Sequence, residues 1–118
     1  MQPIEIRLRK NSRVIAIAFD DGSEFEYTFE YLRVHSPSAE VVGHGPGQET
    51  LQTGKEDVTV TAIDPVGHYA VRLVFDDGHD TGLYSWTYLY ELGRNMQANW
   101  LSYLDRLAAA GYARKTSE

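Results

Sequence analysis

Polar and apolar positions alternate along much of the first three quarters of the chain. Ile4, Ile6 and Leu8 alternate with Glu5, Arg7 and Arg9, a period of two that predicts a half-buried strand. After the polar turn Lys10–Arg13, the run Val14–Phe19 is apolar enough for a central strand. Asp20-Asp21-Gly22-Ser23 predicts a hairpin, because Gly after Asp supplies the positive φ of a tight turn. Phe25, Tyr27 and Phe29 alternate with Glu24, Glu26, Thr28 and Glu30, giving a third strand with one aromatic and one acidic face. Tyr31–His35 predicts a short helical turn, ended by Ser36-Pro37 because a residue before proline avoids the helical region. From Ser36 to about Asp57 the pattern dissolves into one long loop rich in Gly and Pro, of the kind that is often functional. Val58, Val60 and Ala62 predict a fourth strand, and Asp64–His68 a turn. Tyr69, Val71, Leu73 and Phe75 predict a fifth strand, Asp77-Gly78 a second hairpin, and Leu83-Tyr84 a short sixth strand.

The C-terminal third changes period. Leu89, Leu92, Met96, Trp100, Leu104 and Leu107 recur every three or four residues, one apolar helical stripe. Gly93 predicts a break in it, Asn95 a cap for the second helix over about 95–110, and Gly111 a left-handed close. Phe19-Asp20-Asp21-Gly22 matches Phe75-Asp76-Asp77-Gly78, and a Tyr-Leu pair follows each, at Tyr31-Leu32 and Tyr88-Leu89. This reads either as two similar hairpin-to-helix units or as a common turn sequence used twice. The expected class is α+β: a mostly antiparallel sheet of about six short strands, covered by a C-terminal helical segment, in one domain spanning 1–118.

Composition narrows the function classes. The 118 residues are 42% hydrophobic and 24% charged, enough for a core and against disorder. Asp and Glu number 17 against 11 Lys and Arg, a net charge of −6 that opposes non-specific nucleic-acid or anionic-membrane binding. With no cysteine there are no disulfides, no thiolate nucleophile and no cysteine-based zinc or iron–sulfur site. No stretch approaches the ~20 apolar residues of a membrane span, and the first ten residues lack the apolar run of a signal peptide. No membrane insertion and a cytoplasmic location are therefore expected.

Leu32-Arg33, the Ser36–Gln48 loop, Pro65-Val66-Gly67-His68-Tyr69 and above all Asp77-Gly78-His79-Asp80-Thr81-Gly82-Leu83-Tyr84-Ser85-Trp86 carry a resemblance. From about Ile4 to about Leu92 the chain resembles the DUF971 family, the gamma-butyrobetaine-hydroxylase-like N-terminal domain. In eukaryotic carnitine-pathway hydroxylases such a domain precedes a separate iron and 2-oxoglutarate dioxygenase domain and carries a structural zinc on three cysteines and one histidine. In other proteins it is fused to a P-loop ATPase concerned with iron–sulfur assembly. The resemblance places the cysteine cluster after the Leu-Arg pair, where this chain reads His35-Ser36-Pro37-Ser38-Ala39-Glu40-Val41, and the partner histidine at His79. Serine hydroxyls are poor ligands for zinc, so no structural zinc is expected, and His79 should hydrogen-bond the Ser36–Ser38 segment instead.

The remaining candidates divide by chemistry. His79, His44, His35 and Asp80 are the weak candidates for an iron or zinc site, but their spacing has no metal-ligand pattern. No catalytic nucleophile–base set is present, and no enzyme activity is expected. Arg33 is either a clamp for a carboxylate or phosphate or an internal partner of Glu40 or Asp80. Gly43-His44-Gly45-Pro46-Gly47-Gln48 is a glycine-rich bend suited to docking. With Arg33, His44, Gly45, Gly47, His79, Asp80, Tyr84 and Trp86 as contact residues, the first reading is a non-enzymatic accessory or protein-interaction domain, linked through its family to iron–sulfur or metal handling, with an unidentified protein partner. The alternatives are a metal-binding domain and a non-catalytic partner subunit of an oxygenase-like enzyme.

Overall fold

A computed structural model describes residues 1–115. The order of elements is β1 (Pro3–Arg9), β2 (Val14–Phe19), β3 (Glu24–Thr28), α1 (Phe29–Val34), α2 (Ala39–Val42), β4 (Val60–Val66), β5 (Ala70–Phe75), β6 (Leu83–Ser85), α3 (Trp86–Arg94) and α4 (Met96–Ala109). The class is α+β with six strands. They divide into two antiparallel sheets of three, in the orders β1-β2-β3 and β4-β5-β6, where the sequence suggested one sheet. The central strands bury alternate residues, Ile15, Ile17 and Phe19 of β2 and Val71, Leu73 and Phe75 of β5, with Ala70 also buried at the start of β5. The alternating residues meet Leu32, Leu89 and Leu92 in one core.

The halves repeat one another. Each runs strand, strand, Asp-Asp-Gly turn, strand, helix. Gly22 and Gly78 close the turns at φ 90° and 89°. Phe19 N donates to Ser23 O at 2.8 Å and Phe75 N to His79 O at 3.0 Å. Thr28 caps α1 by accepting from Tyr31 N, and Ser85 caps α3 by accepting from Tyr88 N. The halves also grip each other reciprocally. Tyr27 Oη donates to Leu89 O and Tyr84 Oη to Leu32 O, both at 2.6 Å. Tyr31 Oη donates to Leu92 O at 2.7 Å and Tyr88 Oη to His35 O at 2.6 Å. Each bond has its counterpart with the roles of the halves exchanged, the pattern of an isologous two-fold contact. The Phe-Asp-Asp-Gly match is thus the visible part of two β-β-β-α units.

Four local expectations change. β3 stops at Thr28, and Phe29 begins the helix, because the Thr28 hydroxyl takes up a first-turn N–H. β4 runs through Asp64-Pro65-Val66; Pro65 is tolerated because β4 is an edge strand. The long loop contains α2, capped by Ser38. The expected split into a short and a longer helix is present, but it falls at Asn95 and not at Gly93: α3 continues to Arg94, and Asn95 takes the N-cap position of α4 without a side-chain hydrogen bond. Gly93 serves close approach instead, since a Cβ there would run into the ring of Phe25.

Candidate functional site

The β5–β6 hairpin positions the polar residues. Its turn closes on Gly78, and Asp77 Oδ1 accepts from His79 N at 3.2 Å. That leaves Asp77 Oδ2 facing Arg33 Nε of α1 at 2.9 Å and Lys55 Nζ at 2.8 Å. The second side of the Arg33 guanidinium donates to Gln52 Oε1 at 2.9 Å. Partial burial pushes the Asp77 carboxyl up, but the Lys55 hydrogen bond, the His79 N–H and Arg33 outweigh it and hold the group at about 2. Arg33 is buried and spent on this pair, so it is not the free clamp considered above; its partner is Asp77, neither Glu40 nor Asp80. The turn geometry explains why: it aims Asp77 back across the hairpin at α1, while Asp80 points outward to Arg72 at 3.4 Å.

His79 stands beside this pair, only 5% exposed. Its Nε2 lies 2.8 Å from Ser36 Oγ, and its Nδ1 lies 3.5 Å from Glu40 Oε2. Burial first, then the charge of Arg33, pulls the imidazole below the ordinary histidine value, with Glu40 and Asp77 opposing. This geometry suits a neutral ring with Nδ1–H toward Glu40 and Nε2 accepting the Ser36 hydroxyl. Thr81 Oγ1 donates to the same Glu40 oxygen at 3.0 Å, and Ser38 Oγ meets Thr81 Oγ1 at 2.7 Å. The root of the glycine-rich loop is thereby fastened to His79–Gly82. Among the described residues no buried side-chain nitrogen or oxygen lacks a hydrogen-bond partner.

The other candidates do not gather here. His35 donates from Nδ1 to Tyr31 O at 3.0 Å, and its ring lies 4.6 Å from the Tyr31 ring, tilted by 49°; burial, more than Arg106, lowers its pKa against that bond. His44 sits exposed on the loop beside Gly45 and Gly47. Among the described residues no three His, Asp or Glu side chains converge on a point where an ion would sit. Tyr84 is fully buried with its hydroxyl on Leu32 O, so it is core and offers no contact surface. Trp86 donates from Nε1 to His68 O at 2.8 Å at the start of β5, whereas His79 lies past its other end. Six strand residues, about 20 Å, separate them, so the His79–Trp86 segment is not one surface.

The sequence reading missed Asp77, Lys55 and Gln52. A signal for them lay in the differences between the two halves. Where the second half has Asp77 against Arg33, the first has Asp21 Oδ2 against Tyr90 Oη at 2.7 Å. Where Phe25 fills the space over Gly93, Gly82 leaves space for Ser36. One half is plugged by the aromatic group Phe19, Phe25 and Tyr90; the other carries the polar cluster.

The family described as gamma-butyrobetaine hydroxylase-like, N-terminal, matches residues 6–90. The chain belongs to this family. A protein from Acidithiobacillus ferrooxidans ATCC 23270, of unknown function and described as a DUF971 member, has a crystal structure 47% identical to it. That likeness has a TM-score of 0.65 and covers 78% of this chain and 92% of the other. Two solution NMR structures are also similar. One is 44% identical with a TM-score of 0.83, covering 99% of this chain and 92% of the other. The second is 52% identical with a TM-score of 0.81, covering 96% and 84%. No curated protein matches. The structural zinc that the family resemblance implies does not suit the residues at its position. The ring nitrogen His79 Nε2 is occupied by a serine hydroxyl, and Ser38 is bonded to Thr81.

Proposed function

We propose that this domain is a non-enzymatic accessory module that docks on a protein partner through the glycine-rich loop and the adjoining His79–Leu83 rim. The observation that supports it is the closure of the polar cluster on itself. Every buried polar side chain there is satisfied, so none is left open to activate a substrate, while the bonds from Ser36, Ser38 and Glu40 brace the root of the exposed loop. Docking loops held on rigid supports are a general device of recognition. Asp80, His44, Gly47 and Leu83 are exposed beside or on this loop, and no helix among the described residues is long and apolar enough to cross a membrane. A setting in iron–sulfur or metal handling rests only on the proteins in which similar domains occur. A metal-binding role has His79 and Glu40 as its nearest donors, fewer than the three or four a stable site requires.

The experiment is capture from native cells with Gly45→Trp as the comparison. A Cβ at Gly45 meets nothing within 4 Å, so this variant should fold normally and only obstruct the loop. A stoichiometric partner retained by the wild type and by Lys10→Ala, but lost with Gly45→Trp, is expected. Identical partner sets for all three proteins would count against the proposal.

A further inference from the structure

One cavity shares no residue with the polar cluster. It encloses about 700 Å³ between α1, the α3–α4 bend and the segment around Arg114, well within the size range of small-molecule sites. We propose that it binds a small aromatic anion, and this holds independently of the docking role above.

The walls supply both halves of such a ligand. Phe29, Tyr31, Met96 and Trp100 make the apolar side. Arg13, Arg94 and Arg114 reach it from three directions, facing two carboxylates, Glu30 and Glu56. Both carboxylates are already engaged. Glu30 pairs with Arg114, whose guanidinium also lies 5.4 Å over the Trp100 ring. Glu56 accepts from Tyr112 Oη at 3.1 Å and from Lys115 N at 2.6 Å. Arg13 and Arg94 have no carboxylate partner among the described residues. Arg13 donates to Val58 O and Thr59 Oγ1 and lies over Phe29, and Arg94 Nη1 lies 3.4 Å from the Tyr90 hydroxyl with its guanidinium over the same ring. Three guanidiniums against two carboxylates leave the cavity lining with a net positive charge in a chain of net charge −6. Guanidinium groups bind carboxylate and phosphate oxygens in pairs, while aromatic walls take a flat apolar body.

The backbone fixes where Arg13 stands. It closes the β1–β2 turn, its N–H donating to Lys10 O at 3.3 Å, and takes φ 60°, the left-handed conformation of such a turn position. The Arg13 carbonyl accepts Phe29 N at 3.1 Å, so the same residue fixes the start of α1 at the cavity wall.

The test is titration of the full chain with phenyl phosphate, read by amide and indole shifts in ¹⁵N NMR. Saturable shifts are expected at Gly93, Arg94, Gln97 and the Trp100 indole. Phenol and inorganic phosphate, each one half of the ligand, should bind about tenfold or more weaker. Arg94→Gln, at an exposed position, should weaken phenyl phosphate by about tenfold, and Gln97→Trp should abolish binding by filling the cavity. Absence of saturation by roughly 10 mM, which is weaker than ordinary small-ligand affinity, would overturn the proposal. So would shifts centred elsewhere, equal binding of inorganic phosphate, or unchanged affinity in both variants.

Discussion

Asp77 gives the sharpest test of the polar cluster. Its carboxyl is held at about 2 in the folded protein, against 3.8 for the free group. Folding lowers this pKa, so the unfolded chain binds the proton more tightly. The stabilisation is complete above about 3.8 and is lost as pH falls through that value toward 2. At neutral pH the difference corresponds to roughly 2.4 kcal/mol. With 24% of the Asp77 side chain open to water, solvent screening brings this to about 1–2 kcal/mol. Asp77→Asn removes the charge and keeps the shape. At pH 7 it should lower stability in urea by about 2 kcal/mol, since Arg33 is left buried without its carboxylate. This equals a fall of about 6–12 °C in Tm for a domain of this size. At pH 2.5 the wild-type group is still mostly ionised in the folded protein, but about two thirds of its stabilisation is gone, and the two proteins should differ by less than about 1 kcal/mol. Urea midpoints for both proteins from pH 2.5 to 7 measure this. An equal deficit at both ends of the range would refute the reasoning, because it would mean that charge pairing with Arg33 and Lys55 is not what Asp77 contributes.

Tyr27→Phe and Tyr84→Phe remove counterpart buried hydrogen bonds, and each should cost about 1–3 kcal/mol by urea unfolding; one loss more than twice the other would contradict the reciprocal grip of the halves. Gly93→Ala and Gly82→Ala should each cost about 1–3 kcal/mol through overpacking against Phe25 and Ser36, and a smaller loss than that of Gly45→Ala would show the close approach is not tight. Burial lowers the pKa of both His35 and His79, so stability should be full above the ordinary value of 6.5 and decline as pH falls below it. His79→Gln should flatten that decline in urea midpoints measured from pH 5 to 7.5, and a decline of the same size in the variant would remove His79 from the explanation.

Much of the fold is written in local pattern. The alternation in Val14–Phe19 and Val71–Phe75 marks the two central strands because each buries only one face. What period alone cannot report is which partner a side chain meets. Phe29 continues the aromatic alternation of β3, yet the hydroxyl of Thr28 starts a helix there. Pro65 looks like a turn until β4 proves to be an edge. Gly93 looks like a helix break until Phe25, far away in sequence, lies against it. The division into two sheets likewise depends on pairings between distant strands. At the candidate site, His79 lies against Ser36, where the family resemblance put it. Asp77 was hidden inside a turn motif, and Lys55 and Gln52 inside a loop without periodicity. Their meeting with Arg33 is a tertiary event. Tyr84 and Trp86 are neighbours in the most recognisable stretch, but one is core and the other anchors the far end of β5.

The central claim is that a closed hydrogen-bonded cluster around His79 braces this fold where zinc would be implied. The direct measurement is Tm of the untagged protein before and after exhaustive chelation, with metal content determined on the same sample. The account predicts a Tm unchanged within about 1 °C and no stoichiometric iron or zinc, since removal of a bound structural metal takes its binding free energy out of folding. One equivalent of metal, with a Tm that falls on chelation and recovers on its return, would contradict it.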